Sequence, residues 1–227
     1  MKTAIVTGAA GNLGREVVKK FLSDNYSVIG CIMPGDSVDF PGVPFEKIAV
    51  DLMDENESQK AITSIAGSHG SIDVAVLTVG GFAMGDIAGT TTSDIMKQYK
   101  LNFETVYNVA RSVFIEMKKQ NGGRIFMVGS RPGLDATSGK GMIAYGLAKS
   151  LVFRLAELMN EEGKGHNIVT SVIIPGTIDT IQNRKAMPDA DFSKWVSAEE
   201  IANTISYYCS EAARSIREPL IKMYGNS

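Results

Sequence analysis

Thr3-Ala-Ile-Val-Thr-Gly8-Ala-Ala-Gly11-Asn-Leu-Gly14-Arg-Glu-Val-Val-Lys-Lys-Phe-Leu22 decides the fold. Thr3 to Val6 is a short apolar run stopped by Thr7-Gly8, which reads as a buried strand. Glycines follow at positions 8, 11 and 14, and Val17, Val18, Phe21 and Leu22 then mark one apolar helix face. Strand, glycine turn, helix is the setting a dinucleotide pyrophosphate requires. Glycines admit close backbone approach, and a helix N-terminus offers free amide N–H groups and partial positive charge. The glycines alone would also fit a plain tight turn.

Outward from this unit, strands and helices alternate. Ser27–Ile32, Phe45–Val50, Ile72–Leu77, Ile125–Val128, Ile168–Ile174 and Leu220–Tyr224 read as strands. A helix carrying Ala61, Ile62 and Ile65 lies between the third and fourth. Ser93 reads as the N-cap of a long helix to about Gln120, closed by Asn121-Gly122-Gly123. On it Met96, Tyr99, Phe103, Val106, Ala110, Val113 and Met117 form a stripe, while Leu101, Tyr107 and Phe114 fall off it. A helix apolar on more than one side implies a second buried face, so a homodimer or homotetramer is expected. Thr177 to Val196 is a long polar, irregular stretch expected to act as a lid. Ser197-Ala-Glu-Glu200 is a capping box. With no composition break, residues 1–227 read as a single α/β domain, a doubly wound parallel sheet of Rossmann type between two helix layers.

The composition excludes several classes. A net charge of −2 gives no reason to expect nucleic acid or an anionic membrane as partner. No apolar run reaches the ~18–20 residues that span a bilayer. The N-terminus reads at once as a strand, so no signal peptide is expected. Cys31 and Cys209 have no metal-type spacing and suit a reducing, cytoplasmic setting. His69 and His166 read as isolated loop residues, and no metal site is expected.

The chemistry concentrates in Tyr145-Gly-Leu-Ala-Lys149. Residues four apart on a helix share a face. A cation beside a phenol favours the phenolate and lowers its pKa from ~10 toward the working range. Ala144, Gly146 and Ala148 leave room for a ligand. Taken alone, such a pair is more often a solvated helix face. The helix buries Ala148, Leu151, Val152, Leu155, Leu158 and Met159 as its expected core face. The turns at Gly8, Thr78-Val-Gly80-Gly81, Gly129-Ser130 and Pro175-Gly176 all fall at carboxyl ends of strands, where such sheets bind ligands.

Over essentially its full length the chain resembles the short-chain dehydrogenase/reductases. Thr7-Gly8-Ala-Ala-Gly11-Asn-Leu-Gly14, Asp51-Leu52, Asn102, Ser130, Tyr145-x-x-x-Lys149 and Pro175-Gly176-Thr177 with Thr180 carry the resemblance. The glycine spacing is that of the extended members, but the chain is too short for their additional domain. Leu77-Thr78-Val79-Gly80 stands where most members carry Asn-Asn-Ala-Gly. Among these enzymes the chain is most similar to the dihydropteridine reductase-like members, through Asp73 to Gly85, Gly141 to Lys149 and Thr177 to Trp195. It departs from them at Ile32, where they place an aspartate, and at Ser130, a serine they lack.

The resemblance implies an NAD(P)(H)-dependent oxidoreductase that moves hydride between nicotinamide and a small carbonyl, alcohol or imine substrate, quinonoid dihydropterin being one candidate. Tyr145 becomes the proton donor and Lys149 its pKa-lowering partner and nicotinamide-ribose ligand. Ser130 becomes the substrate-oxygen partner and Asn102 the holder of a relay water, although a turn serine and a structural asparagine are the plainer readings. Gly8, Gly11, Asn12, Leu13 and Gly14 would take the pyrophosphate. Asp51, Leu52, Gly80, Pro175, Gly176 and Thr177 would line the rest of the cofactor. Phe82, Arg184 and Trp195 would form the substrate lid. Asp36 arrives late after the second strand and no arginine sits there, so NAD(H) and NADP(H) stay open. A catalytically silent dinucleotide-binding regulator or scaffold is the alternative.

Overall fold

A computed structural model describes residues 1–43 and 45–226. Its elements, in order, are β1 (Thr3–Thr7), α1 (Asn12–Ser23), β2 (Ser27–Ile32), β3 (Glu46–Ala49), α2 (Glu55–His69), β4 (Val74–Leu77) and α3 (Thr92–Tyr99). A π-helical turn over Lys100–Glu104 leads into α4 (Thr105–Gln120), then β5 (Gly123–Val128), α5 (Arg131–Leu134), α6 (Ile143–Glu162) and β6 (Ile168–Pro175). The chain closes with β7 (Ile178–Asp179), α7 (Ile181–Ala186), β8 (Val196–Ser197), α8 (Ala198–Tyr208) and β9 (Leu220–Met223).

Seven strands form one sheet in the order β3-β2-β1-β4-β5-β6-β9, every pairing parallel. Parallel strands need crossovers, and helices placed on both faces bury both sides of each central strand. Ile5, Ile29, Ala75, Ile125 and Met127 point to the layer of α2, α4 and α6. Val6, Val28, Val76, Phe126 and Ile173 point to α1 and α8. The alternation along each strand is the two-residue period of a pleated sheet with both faces packed. The order reverses between β1 and β4, and that is where a crevice opens at the carboxyl ends.

Several expectations need correction. The long central helix is capped by Thr91, not Ser93. Thr91 Oγ1 accepts from the Asp94 amide, and Asp94 accepts from the Thr91 amide. The π turn adds a residue and shifts the apolar stripe, so Met96 is exposed while Phe114 is buried. On α6 the buried face is Ala148, Val152, Phe153, Ala156 and Met159, and Leu151 and Leu158 are exposed. His69 ends α2 and pairs with Glu46 instead of lying in a loop. Thr177 to Val196 is largely ordered as β7, α7, a 3-10 turn and β8. The third and fourth strands are shorter than expected: Val50 and Ile72 are apolar and buried, which reads as strand, yet they lie outside the paired registers.

Candidate active site

The crevice begins at the glycine turn. Gly8 has φ +64°, and a Cβ there would lie 2.9 Å from Thr78 Oγ1. At Gly14 a Cβ would lie 2.1 Å from the Gly8 carbonyl oxygen, so α1 can pack this close to the turn only without a side chain. Gly11 is the N-cap of α1, and no side chain caps the helix or places an acid in its first turn. The first amides of α1 are therefore free for an anion. Thr78 fixes the opposite wall: its amide donates to Thr7 Oγ1 (3.1 Å) and its hydroxyl to the Thr7 carbonyl (2.7 Å).

The resulting cleft of ≈ 660 Å³ is lined by Gly8, Gly11, Asn12, Leu13, Gly14, Asp51, Leu52 and Gly80. Its volume is that of a typical small-ligand site. Asn108 Nδ2 donates to the Leu52 carbonyl (3.0 Å) and holds that wall in place. Asp36 and Asp51 are the charged residues in the lining.

A second cleft of ≈ 670 Å³ shares Leu13, Thr78, Gly80, Gly81, Ile178 and Asn183 with the first. Ser130, Tyr145, Lys149, Pro175, Gly176, Thr177 and Phe82 also line it. Lys149 is buried, and its Nζ donates to the Val128 carbonyl at 2.8 Å. Burial pushes its pKa from 10.5 down to about 8. Burial pushes the Tyr145 phenol up, and the nearby Ser130 hydroxyl pulls it partly back. The approach of the two hydroxyls falls short of hydrogen-bond geometry, so the buried Ser130 Oγ has no partner among the described residues. The spacing predicts a phenol lowered by the lysine, whereas here the phenol is raised. Lost hydration dominates at Tyr145, and the ammonium is turned to Val128.

Asn102 sits in the π turn and is fully buried. Its Oδ1 accepts from the Gly81 amide (3.0 Å), and its Nδ2 donates to the Gly81 carbonyl (2.9 Å) and to Gln98 Oε1 (2.8 Å). This side chain clamps the turn after β4. A Cβ at Gly80 would meet Asn102 Oδ1 at 2.7 Å and Lys149 Nζ at 3.1 Å, so the bare glycine leaves these two groups side by side.

The lid residues divide. Phe82 stands edge-on to the Tyr145 ring, with centroids 5.2 Å apart. Arg184 and Trp195 line neither cleft. Arg184 makes a two-point ion pair with Asp179 (2.6 and 2.7 Å) and lies over the Phe192 ring, which packs on Trp195. Met142, Met187, Asn183 and Gln182 line the clefts and escaped the sequence reading. For Gln182, Asn183 and Met187 the signal depends on α7, which a polar stretch does not announce, and Met142 sits at the N-cap of α6. Gln98 had a readable signal, being four residues before Asn102 on one helix face.

Two clefts that join at Leu13, Thr78, Gly80 and Gly81, the second of them holding Ser130, Tyr145 and Lys149, above a parallel sheet with a glycine turn, define a class. The family model described as short chain dehydrogenase matches residues 2–191, and the chain belongs to that family of oxidoreductases. Its members typically bind NAD(P)(H). The chain is 32% identical over 210 residues to the dihydropteridine reductase of Dictyostelium discoideum, covering 90% of this chain and 86% of that one. It is 27% identical over 236 residues to the 3-oxoacyl-acyl-carrier-protein reductase of Buchnera aphidicola, covering 99% and 96%. A short-chain type dehydrogenase/reductase from Mycobacterium ulcerans shares the fold with a TM-score of 0.89 at 22% identity, over 99% of this chain and 89% of that one. Among the described residues no helix is long and apolar enough to cross a membrane, and no cluster of side chains could hold a metal ion.

Proposed function

We propose that the chain is a reductase in which Tyr145 donates a proton to the oxygen or nitrogen of a small carbonyl or imine substrate. The observation that carries this reading is the buried Ser130 hydroxyl, without a hydrogen-bond partner among the described residues, beside the Tyr145 phenol in the second cleft. A nicotinamide dinucleotide fits the free amides of α1 and the bare glycine wall, and when bound it supplies the hydride. The raised pKa of Tyr145 keeps its proton in place until the substrate needs it. Ser130 donates its one O–H to the oxygen of a carbonyl substrate. Lys149, held cationic near neutral pH, takes the ribose hydroxyls. Asn102 acts by keeping the Gly80–Gly81 turn open beside Lys149. Gly8, Gly11, Asn12, Leu13 and Gly14 take the pyrophosphate, and Asp51, Leu52, Pro175, Gly176 and Thr177 border the remainder.

The acids in the cofactor cleft, Asp36 and Asp51, favour ribose hydroxyls over a 2′-phosphate, so NAD(H) is the preferred carrier. Phe82, Met142 and Met187 give the substrate cleft an apolar, polarisable collar, and among the described residues its charged lining is Arg131 and Lys149, with no carboxylate. A flat, uncharged ring such as quinonoid dihydropterin suits those walls. Residues 1–227 act as one domain. Exposed Tyr107 and Ile115 on α4 and Leu147, Leu151 and Leu158 on α6 support pairing of two copies. The unpaired thiols Cys31 and Cys209 suit the cytoplasm.

The test is oxidation of NADH and NADPH against quinonoid dihydropterin and a panel of ketones. Turnover with NADH preferred supports the reading. No turnover with any substrate, despite cofactor binding, would favour a silent dinucleotide-binding regulator. Turnover of ketones without pterin would keep the reductase and remove the pterin.

A further inference from the structure

Asn12 opens α1 at the lip of the cofactor cleft, and Gln182 lies in the first turn of α7, across that cleft. Asn12 Nδ2 donates to Gln182 Oε1 at 3.0 Å, a contact between residues 170 apart in sequence. Both side chains are exposed, so the bond adds little to the core. Meanwhile α7 is organised from within. Thr180 Oγ1 accepts from the Asn183 amide (3.1 Å), and Asn183 Nδ2 donates to the Ile178 carbonyl (2.8 Å). The Arg184–Asp179 pair and the β7–β8 pairing secure its base. The segment therefore holds its shape through its own bonds, and the Asn12–Gln182 bond joins it to the glycine turn.

We propose that Asn12 and Gln182 form a clasp that holds α7 over the bound dinucleotide and sets how fast it leaves. This rests on the reading of the chain as a nicotinamide enzyme. Gln182 is a positioning residue here: it acts through Asn12 and α7, not on reacting atoms.

The clasp is tested by a two-residue cycle: wild type, Gln182→Ala, Asn12→Ala and the double variant. NADH release is followed by stopped-flow fluorescence, and hydrogen exchange over residues 178–187 is measured in the cofactor-free proteins. Gln182→Ala should speed release roughly 2- to 10-fold, the range of one net hydrogen bond. It should also speed exchange in α7 without cofactor. In the Asn12→Ala background the same substitution should change neither, because the bond is already gone. Wild-type release and exchange in Gln182→Ala would overturn the clasp. So would an equal effect of Gln182→Ala in both backgrounds. A wild-type protein that binds neither NADH nor NADPH would overturn the enzyme reading itself, and the clasp's role with it.

Discussion

Lys149 Nζ donates to the Val128 carbonyl at 2.8 Å, so the ammonium at the centre of the site is tied to the end of β5. The lysine is carried by α6 and its acceptor by the sheet, which fixes the helix against the strand where the clefts meet. Its burial has an energetic cost that shows in its pKa of about 8.

That pKa has a stability consequence of defined sign. The native lysine loses its proton near pH 8, whereas the unfolded chain keeps its own until about 10.4. Between these values the unfolded state binds more protons, so stability from this group rises with pH. Burial holds the Cys31 and Cys209 thiols and the Tyr26 phenol up near 12, which acts in the opposite direction at alkaline pH. Comparison with Lys149→Met isolates the lysine. Urea unfolding at about pH 7 and pH 9.5 should move in wild type's favour by roughly 1–2 kcal/mol relative to the variant. A difference that stays constant with pH would contradict the depressed pKa.

Gly80→Ala should damage the site and the fold together. The new methyl would press on Asn102 Oδ1 and Lys149 Nζ, and both are held by other hydrogen bonds. Overpacking of this kind costs about 1–3 kcal/mol. Thermal denaturation should show a lower midpoint, and steady-state kinetics a lower kcat/KM. An alanine variant with native values of both would show that the two groups yield freely.

Arg184→Ala should leave substrate KM within about twofold, since an interaction outside the cleft contributes little to binding. The arginine faces Asp179 and Phe192. Its loss should instead show as faster hydrogen exchange over residues 179–195. A large rise in KM would place the arginine at the substrate.

Light scattering at micromolar concentration should find a dimer or larger species. The exposed Leu147, Leu151 and Leu158 on α6 motivate this expectation. A strict monomer would leave that apolar face without its second copy.

The sequence was most legible where local chemistry and fold agree. Thr3 to Leu22 announced strand, turn and helix because a buried strand, close-packed glycines and an apolar stripe each leave a local mark. The Tyr145–Lys149 spacing likewise placed both residues on α6. What stayed hidden was set by packing at a distance. The π turn at Lys100–Glu104 left only apolar residues that fell off a regular stripe, which read as a second face. Leu151 and Leu158 have the spacing of a core face, yet smaller Ala148 and Ala156 meet the sheet and leave the leucines outside. Arg184 looked free for a ligand because its partner Asp179 depends on the turn into α7. The upward pKa shift of Tyr145 comes from burial, which spacing does not reveal.

The central claim is that Tyr145 supplies the proton, and Tyr145→Phe tests it most directly. The variant keeps the ring against Phe82 and removes only the hydroxyl beside Ser130. NADH affinity by fluorescence titration should stay near wild type while kcat falls by about 10²-fold or more, the range of a lost general acid. A variant that binds NADH and turns over at the wild-type kcat would contradict the account.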